Sequence, residues 1–112
     1  MLTISGLKRF YYLPDFKDMR CKAQTISEII RSRYNRDPHN GDVYVFMSKN
    51  CRRIRLIHYE KNAYYLHEKT FVNGCTFVKI KEEGDKLVYH IDWKDLVAIL
   101  ESPVIKELKL RQ

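Results

Sequence analysis

Apolar positions along this chain change their period once, near Asp42. Upstream, Met19, Ala23, Ile26 and Ile30 recur at intervals of four, three and four residues, which puts them on one stripe of a helix. Arg20, Gln24, Ser27 and Arg31 line another face of it. Downstream, "DVYVFM", "RIRLIHY", "AYYLHEK", "TFVKI" and "LVYHI" are strand-length segments rich in β-branched and aromatic residues. Their connectors are short and polar, and successive strands joined this way predict an antiparallel meander. Ahead of the helix, "KRFYYL" at residues 8–13 reads as a short strand stopped by Pro14, with Asp15 as helix N-cap and Asp18 near the positive helix end. Pro38 and Asn40-Gly41 end the helix after about Tyr34. Beyond the strands, Asp92 caps a helix with Trp93, Leu96, Val97 and Leu100 on its apolar face, and Ser102-Pro103 introduces a last helical turn or two. The expected fold class is α+β: a curved antiparallel β-meander of about five or six strands, one helix in the N-terminal half and one or two C-terminal helices, with the helices on one side.

The segment "RIRLIHYEKNAYYLHEK" is specific enough to yield a register. A two-residue loop at Lys61-Asn62 sets Tyr59 against Tyr64, Ile57 against Leu66 and Arg55 against Glu68. Asn62 is then the candidate for positive φ, since asparagine tolerates that region. Arg53, Arg55, Ile57, Tyr59, Tyr64, Leu66 and Glu68 share one face, and Ile54, Leu56, His58, Tyr65, His67 and Lys69 the other. Neither face is cleanly apolar. The Arg55–Glu68 pair, worth about 0.2–1 kcal/mol across strands, gives Arg55 a structural reason to be there. Arg52 and Arg53, at the strand's mouth, have no such partner in this register.

Length and composition narrow the class. At 112 residues with 45% apolar content, the chain fits one domain with a true core. The longest apolar run, Leu96 to Leu100, is far too short to span a bilayer, and "MLTISGLKRF" lacks a signal-peptide pattern, so a soluble cytoplasmic protein is expected. Cys21, Cys51 and Cys75 have no close spacing and read as free thiols. Charge is uneven: residues 1–61 carry 13 basic against 6 acidic side chains, while residues 62–112 carry 8 of each. A basic half of this kind favours a polyanionic partner.

Catalytic patterns are sparse. Asp15, Asp18, Asp37 and Asp42 suit caps and turns, the histidines never occur as His-x-His, and no glycine-rich loop or nucleophile elbow is present. No metal or cofactor is expected. His58 and His67 share a hairpin face and form the one acid–base pair to weigh, as a small ribonuclease would need. Tyr11, Tyr12, Tyr59, Tyr64 and Tyr65 offer rings for stacking on bases, or simply for burial with a wet hydroxyl.

The order of motifs resembles a known family, the small accessory protein TnpB encoded by the second reading frame of insertion-sequence-sixty-six elements. The resemblance rests on Asp18-Met19-Arg20, on the turn and strand of "DPHNGDVYVF", and on Arg53, Ile54, Arg55, Leu56, Tyr59, Glu60, Asn62, Leu66 and Lys69 of the hairpin. Gly74, Phe77 and the segment from Leu96 to Leu100 complete it, so that it covers about residues 10–101. Ala63 stands where the family usually has glycine, and the customary W-P after the phenylalanine is missing. The resemblance implies a bacterial, cytoplasmic, non-catalytic protein that assists transposition beside a separate transposase, with DNA binding as its usual proposed role.

Joined to the charge distribution, this makes Arg20, Arg52, Arg53, Arg55 and Lys69 the candidate nucleic-acid-binding residues, with DNA and the transposase of the same element as expected partners. Arg20 falls at an expected helix start, where backbone N–H groups also favour an anion. A protein–protein adaptor that docks on the transposase is the alternative.

Overall fold

The computed structural model describes residues 8–72, 74–101 and 107–110. Strand β2 (Val43–Met47) sits in the middle of a five-stranded sheet and is buried along its whole length. Its side chains alternate: Val43, Val45 and Met47 enter one hydrophobic cluster, Tyr44 and Phe46 another. Helix α2 (Trp93–Glu101) delivers Leu96, Ile99 and Leu100 to the first cluster. Helix α1 (Ala23–Arg33) delivers Ile26 and Ile30 to the second, beside Leu13 and Phe16. The helices therefore lie on opposite faces, not on one side as expected. An unbroken apolar strand has two faces to hide, and each needs its own cover.

The α+β class and the hairpin stand as the sequence predicts. Strands β3 (Arg53–Glu60) and β4 (Ala63–Thr70) pair antiparallel with Tyr59 opposite Tyr64, Ile57 opposite Leu66 and Arg55 opposite Glu68. With β2 they make the meander, but the meander stops there. Strand β1 (Phe10–Tyr12) runs parallel to β2, with α1 as the crossover that a parallel pair requires. On its other side β1 pairs antiparallel with β6 (Tyr89–Ile91), giving a mixed sheet in the order β4-β3-β2-β1-β6. Strand β5 (Lys79–Glu82) leaves this sheet and pairs in parallel with β7 (Glu107–Leu110). The expected Ser102-Pro103 cap lies outside the described residues, and at 107–110 the chain is strand, not helix.

Helix α1 also starts later than its apolar stripe suggests. Asp15 does not cap it, because its carboxylate accepts the Tyr34 hydroxyl at 2.5 Å. Asp18 accepts the Arg20 N–H at 2.8 Å, a local turn that competes with helix. Leu13 and Phe16 are buried from irregular backbone, Phe16 with its ring 4.7 Å from that of Phe46. Ser27, expected on a polar face, is buried and accepts the Tyr64 hydroxyl at 2.9 Å.

The hairpin tip carries measurable strain. Lys61 (φ 52°) and Asn62 (φ 64°) are both left-handed, the geometry of a type I′ turn, which favours Asn-Gly. Lys61→Asn with Asn62→Gly should raise stability by about 1 kcal/mol in denaturant melts. Ala63 is outside the left-handed pair, so Ala63→Gly should lower stability by about 0.5–1 kcal/mol.

Candidate nucleic-acid interface

The β2–β3 turn is built by two short polar side chains. Ser48 Oγ donates to Asn50 Oδ1 at 2.8 Å and accepts the Arg53 N–H at 3.0 Å. Asn50 Oδ1 also accepts the Arg52 N–H at 3.1 Å. Between them Cys51 holds a left-handed φ of 59°, a conformation costly for a side chain and kept here by the surrounding bonds. Phe71 N–H to the Arg52 carbonyl, at 2.8 Å, ties the far end of β4 to the same turn. Arg52 and Arg53 therefore leave a fixed backbone.

Both arginines line a hollow of about 460 Å³, together with Ser48, Asn50, Thr70 and Met19. Arg52 Nε is closed to solvent and has no hydrogen-bond partner among the described residues, a costly state for a guanidinium nitrogen. The Arg53 side chain is 43% exposed, with Nε 3.7 Å from Glu68 Oε2. Arg20 follows Met19 in sequence, and its side chain is 93% exposed, 3.7 Å from Asp18. Arg20 and Arg53 thus keep exposed guanidinium groups, and Arg52 lines the hollow beside Arg53.

The other two candidates are held by the fold. The Arg55 side chain is only 10% exposed; its Nε lies 3.1 Å from Glu68 Oε1 as an ion pair, and its Nη1 donates to the Cys21 carbonyl at 2.8 Å. It thereby fastens the loop before α1 to the hairpin. Lys69 points to the opposite face of the sheet. Its ammonium donates to the Leu100 carbonyl at 2.7 Å and lies 3.4 Å from Glu101, capping the end of α2 where the helix dipole favours a cation. The structure thus brings Arg53 and Arg55 together around Glu68 and Arg52 and Arg53 together at the hollow, with Arg20 next in sequence to the Cys21 carbonyl that Arg55 holds and Lys69 apart.

His58 and His67 do come together, with ring centroids 5.9 Å apart and planes 13° from parallel. His58 is buried and stacked on Tyr65 at 4.9 Å, so it is packed as a flat ring and closed to a scissile phosphate. Burial pushes its imidazole below the ordinary value, helped by the Lys8 and His67 charges and opposed by Glu60. Among the described residues, no group of three or more His, Cys, Asp or Glu is placed to hold a metal ion. The three cysteines are free. No helix of the described residues is long and apolar enough to cross a membrane.

Two clusters were not foreseen. His39, in the turn after α1, stacks on Tyr59 at 4.2 Å and shares a 2.7 Å hydrogen bond with the Tyr64 hydroxyl, pinning that turn to the hairpin tip. Asp42 is buried between Arg9 at 3.2 Å and Arg36 at 3.9 Å, and the Arg36 guanidinium lies over the Tyr11 ring at 4.0 Å. Five basic or aromatic side chains of the basic half, Arg9, Tyr11, Arg36, His39 and Tyr59, are thus consumed by internal contacts spread over distant parts of the chain. No local pattern marks such pairings.

Residues 8–109 match the family model described as IS66 Orf2 like protein. A curated relative, described as uncharacterized protein y4jC of Sinorhizobium fredii (strain NBRC 101917 / NGR234), is 28% identical over 102 residues, covering 83% of this chain and 85% of that protein. No solved structure matches.

Two outcomes follow from this geometry. Arg55→Ala takes the guanidinium donor from the Cys21 carbonyl and leaves Glu68 with only the longer Arg53 contact, and should cost about 2 kcal/mol in chemical denaturation, whereas Arg53→Ala should cost less than about 1 kcal/mol. His58 binds its proton less readily folded than unfolded, so its contribution to stability is present above the unfolded value of about 6.5 and is lost as pH falls below it. Thermal melts from about pH 7 to about pH 5 should show falling stability, and His58→Phe should flatten that fall.

Proposed function

The chain belongs to the IS66 Orf2-like family of transposition-associated accessory proteins, and from that premise we propose that it assists transposition by gripping DNA phosphates at the Arg52–Arg53 hollow, with Arg20 beside it. The observation that carries this reading is that Arg52 and Arg53 line one hollow large enough for a phosphate group, on a turn whose backbone Ser48 and Asn50 hold fixed. A phosphate in that hollow meets two guanidinium groups of opposite charge. Thr70 and Asn50 at the rim add polar groups of the kind that position a sugar–phosphate backbone without reading bases. Arg53 shares Glu68 with Arg55, and that neighbour balances only one of the two positive charges. Arg55 and Lys69 stay outside the contact surface because each is committed to an internal carbonyl.

A surface of this composition binds through charge. With about three phosphates neutralised, log affinity against log salt should fall with a slope near −2.7 on duplex DNA. Arg52→Glu with Arg53→Glu should weaken binding to all sequences and flatten the slope by roughly two units, while the melting temperature stays close to that of the parent. Fluorescence anisotropy across a salt series reads both quantities. Unchanged affinity and slope in the folded double variant would replace this reading with docking on the transposase.

A further inference from the structure

Strand β4 borders the sheet and, among the described residues, has β3 as its sole strand partner. It is eight residues long and in unbroken register from Thr70 opposite Arg53 to Ala63 opposite Glu60. Alternate residues of an antiparallel strand turn both backbone groups toward the partner or both away. The Phe71 N–H bond to the Arg52 carbonyl fixes which: odd-numbered residues face β3, so Tyr64, Leu66, Glu68 and Thr70 present their N–H and C=O groups outward. No backbone bond from a described residue outside β3 reaches them.

Protein edges of this length are normally blunted by proline, a bulge, or a lysine held out into solvent. β4 has no proline, glycine or bulge. Its one lysine, Lys69, is folded back onto α2. Beside the edge, on the α2 face, lies a largely apolar groove of about 620 Å³ between β4 and α2, lined by Leu56, His67, Lys69, Trp93, Val97 and Leu100. Trp93 and Val97 remain partly exposed in it. An open strand edge alongside a groove under a helix takes up another extended strand: the backbone bonds join the edge and an alternate side chain enters the groove.

We propose that the strand is β4 of a second copy of this chain, paired antiparallel about a two-fold axis at His67. Two observations select that occupant. The chain carries a net charge of +7, yet β4 itself holds one glutamate and one lysine, so the edge does not repel its own copy. The two-fold arrangement is also self-complementary. With His67 on the axis, Tyr64 meets Thr70 of the second copy and Leu66 meets its Glu68, so every outward backbone group finds a partner. Tyr65, 43% exposed and on the same face as the groove, then meets Lys69 of the second copy and lies over the groove beside it. One association closes both edges and fills both grooves, and the two sheets become one.

Sedimentation of the full chain over a wide range of concentration tests this directly. The parent should be a dimer. Tyr65→Lys places like charges at two symmetric contacts and should weaken dimerisation roughly tenfold without changing the far-ultraviolet circular dichroism. Residues on the axis form a close, non-hydrogen-bonded pair, a spacing of about 4.5 Å between Cα atoms that suits a disulfide. His67→Cys, with Cys21, Cys51 and Cys75 changed to serine, should therefore crosslink two copies under mild oxidation, and Ala63→Cys in the same background should not. A monomer at every concentration, or a dimer indifferent to Tyr65→Lys and not crosslinked through position 67, overturns the proposal. Were the protein monomeric and Tyr65→Lys to abolish copurification with the transposase, the edge would belong to a foreign strand instead.

Discussion

Val43, Val45 and Met47 leave β2 on one side, Tyr44 and Phe46 on the other, and both sets reach full burial because a helix lies across each face. Much else is a consequence of that double requirement. Covering the second face before the hairpin forms means sending the chain from β1 through α1 and back beside its start, which makes β1 and β2 parallel. Covering the first face from the far end of the chain brings Tyr89–Ile91 alongside β1 on the way to α2. The hairpin, third and fourth along the chain, is left at the border of the sheet with a mixed face on each side.

That border position explains the composition of "RIRLIHYEKNAYYLHEK". Its mixed faces looked ambiguous in one dimension because both are half covered: Ile57 and Leu66 lean on the α1 cluster, Ile54 and Leu56 on the α2 cluster. Register was legible because a two-residue loop and period-two alternation are local properties. The start of α1 was not. Met19 falls in phase with the stripe, but the Asp18 side chain takes the Arg20 N–H, and Asp15 is drawn to Tyr34, nineteen residues away. The departure of "TFVKI" from the sheet was equally hidden, since its partner is the strand at 107–110 and nothing in either segment names the other.

The arginines divide along the same line between local and distant causes. A cross-strand Glu68 for Arg55 could be read from register alone. The Cys21 carbonyl that completes its environment, and the Leu100 carbonyl that takes Lys69, belong to segments more than thirty residues away. Arg52 stands apart because the turn that presents it is made of neighbours, Ser48 and Asn50, while its guanidinium Nε has no hydrogen-bond partner among the described residues.

Strand β1 has a consequence for the time course of assembly. It is three residues long and lies between strands that begin at Val43 and Tyr89. Contacts so distant in sequence form slowly, since a long loop must close before they return anything, whereas the β3–β4 hairpin closes over a two-residue turn. A chain emerging from the ribosome therefore makes β1 early and completes its surroundings late. Until Tyr89–Ile91 has been synthesised, Phe10 and Tyr12 wait beside a half-built sheet. The nascent protein is thus most exposed to misassociation through β1, and the arrival of β6 is what seals it.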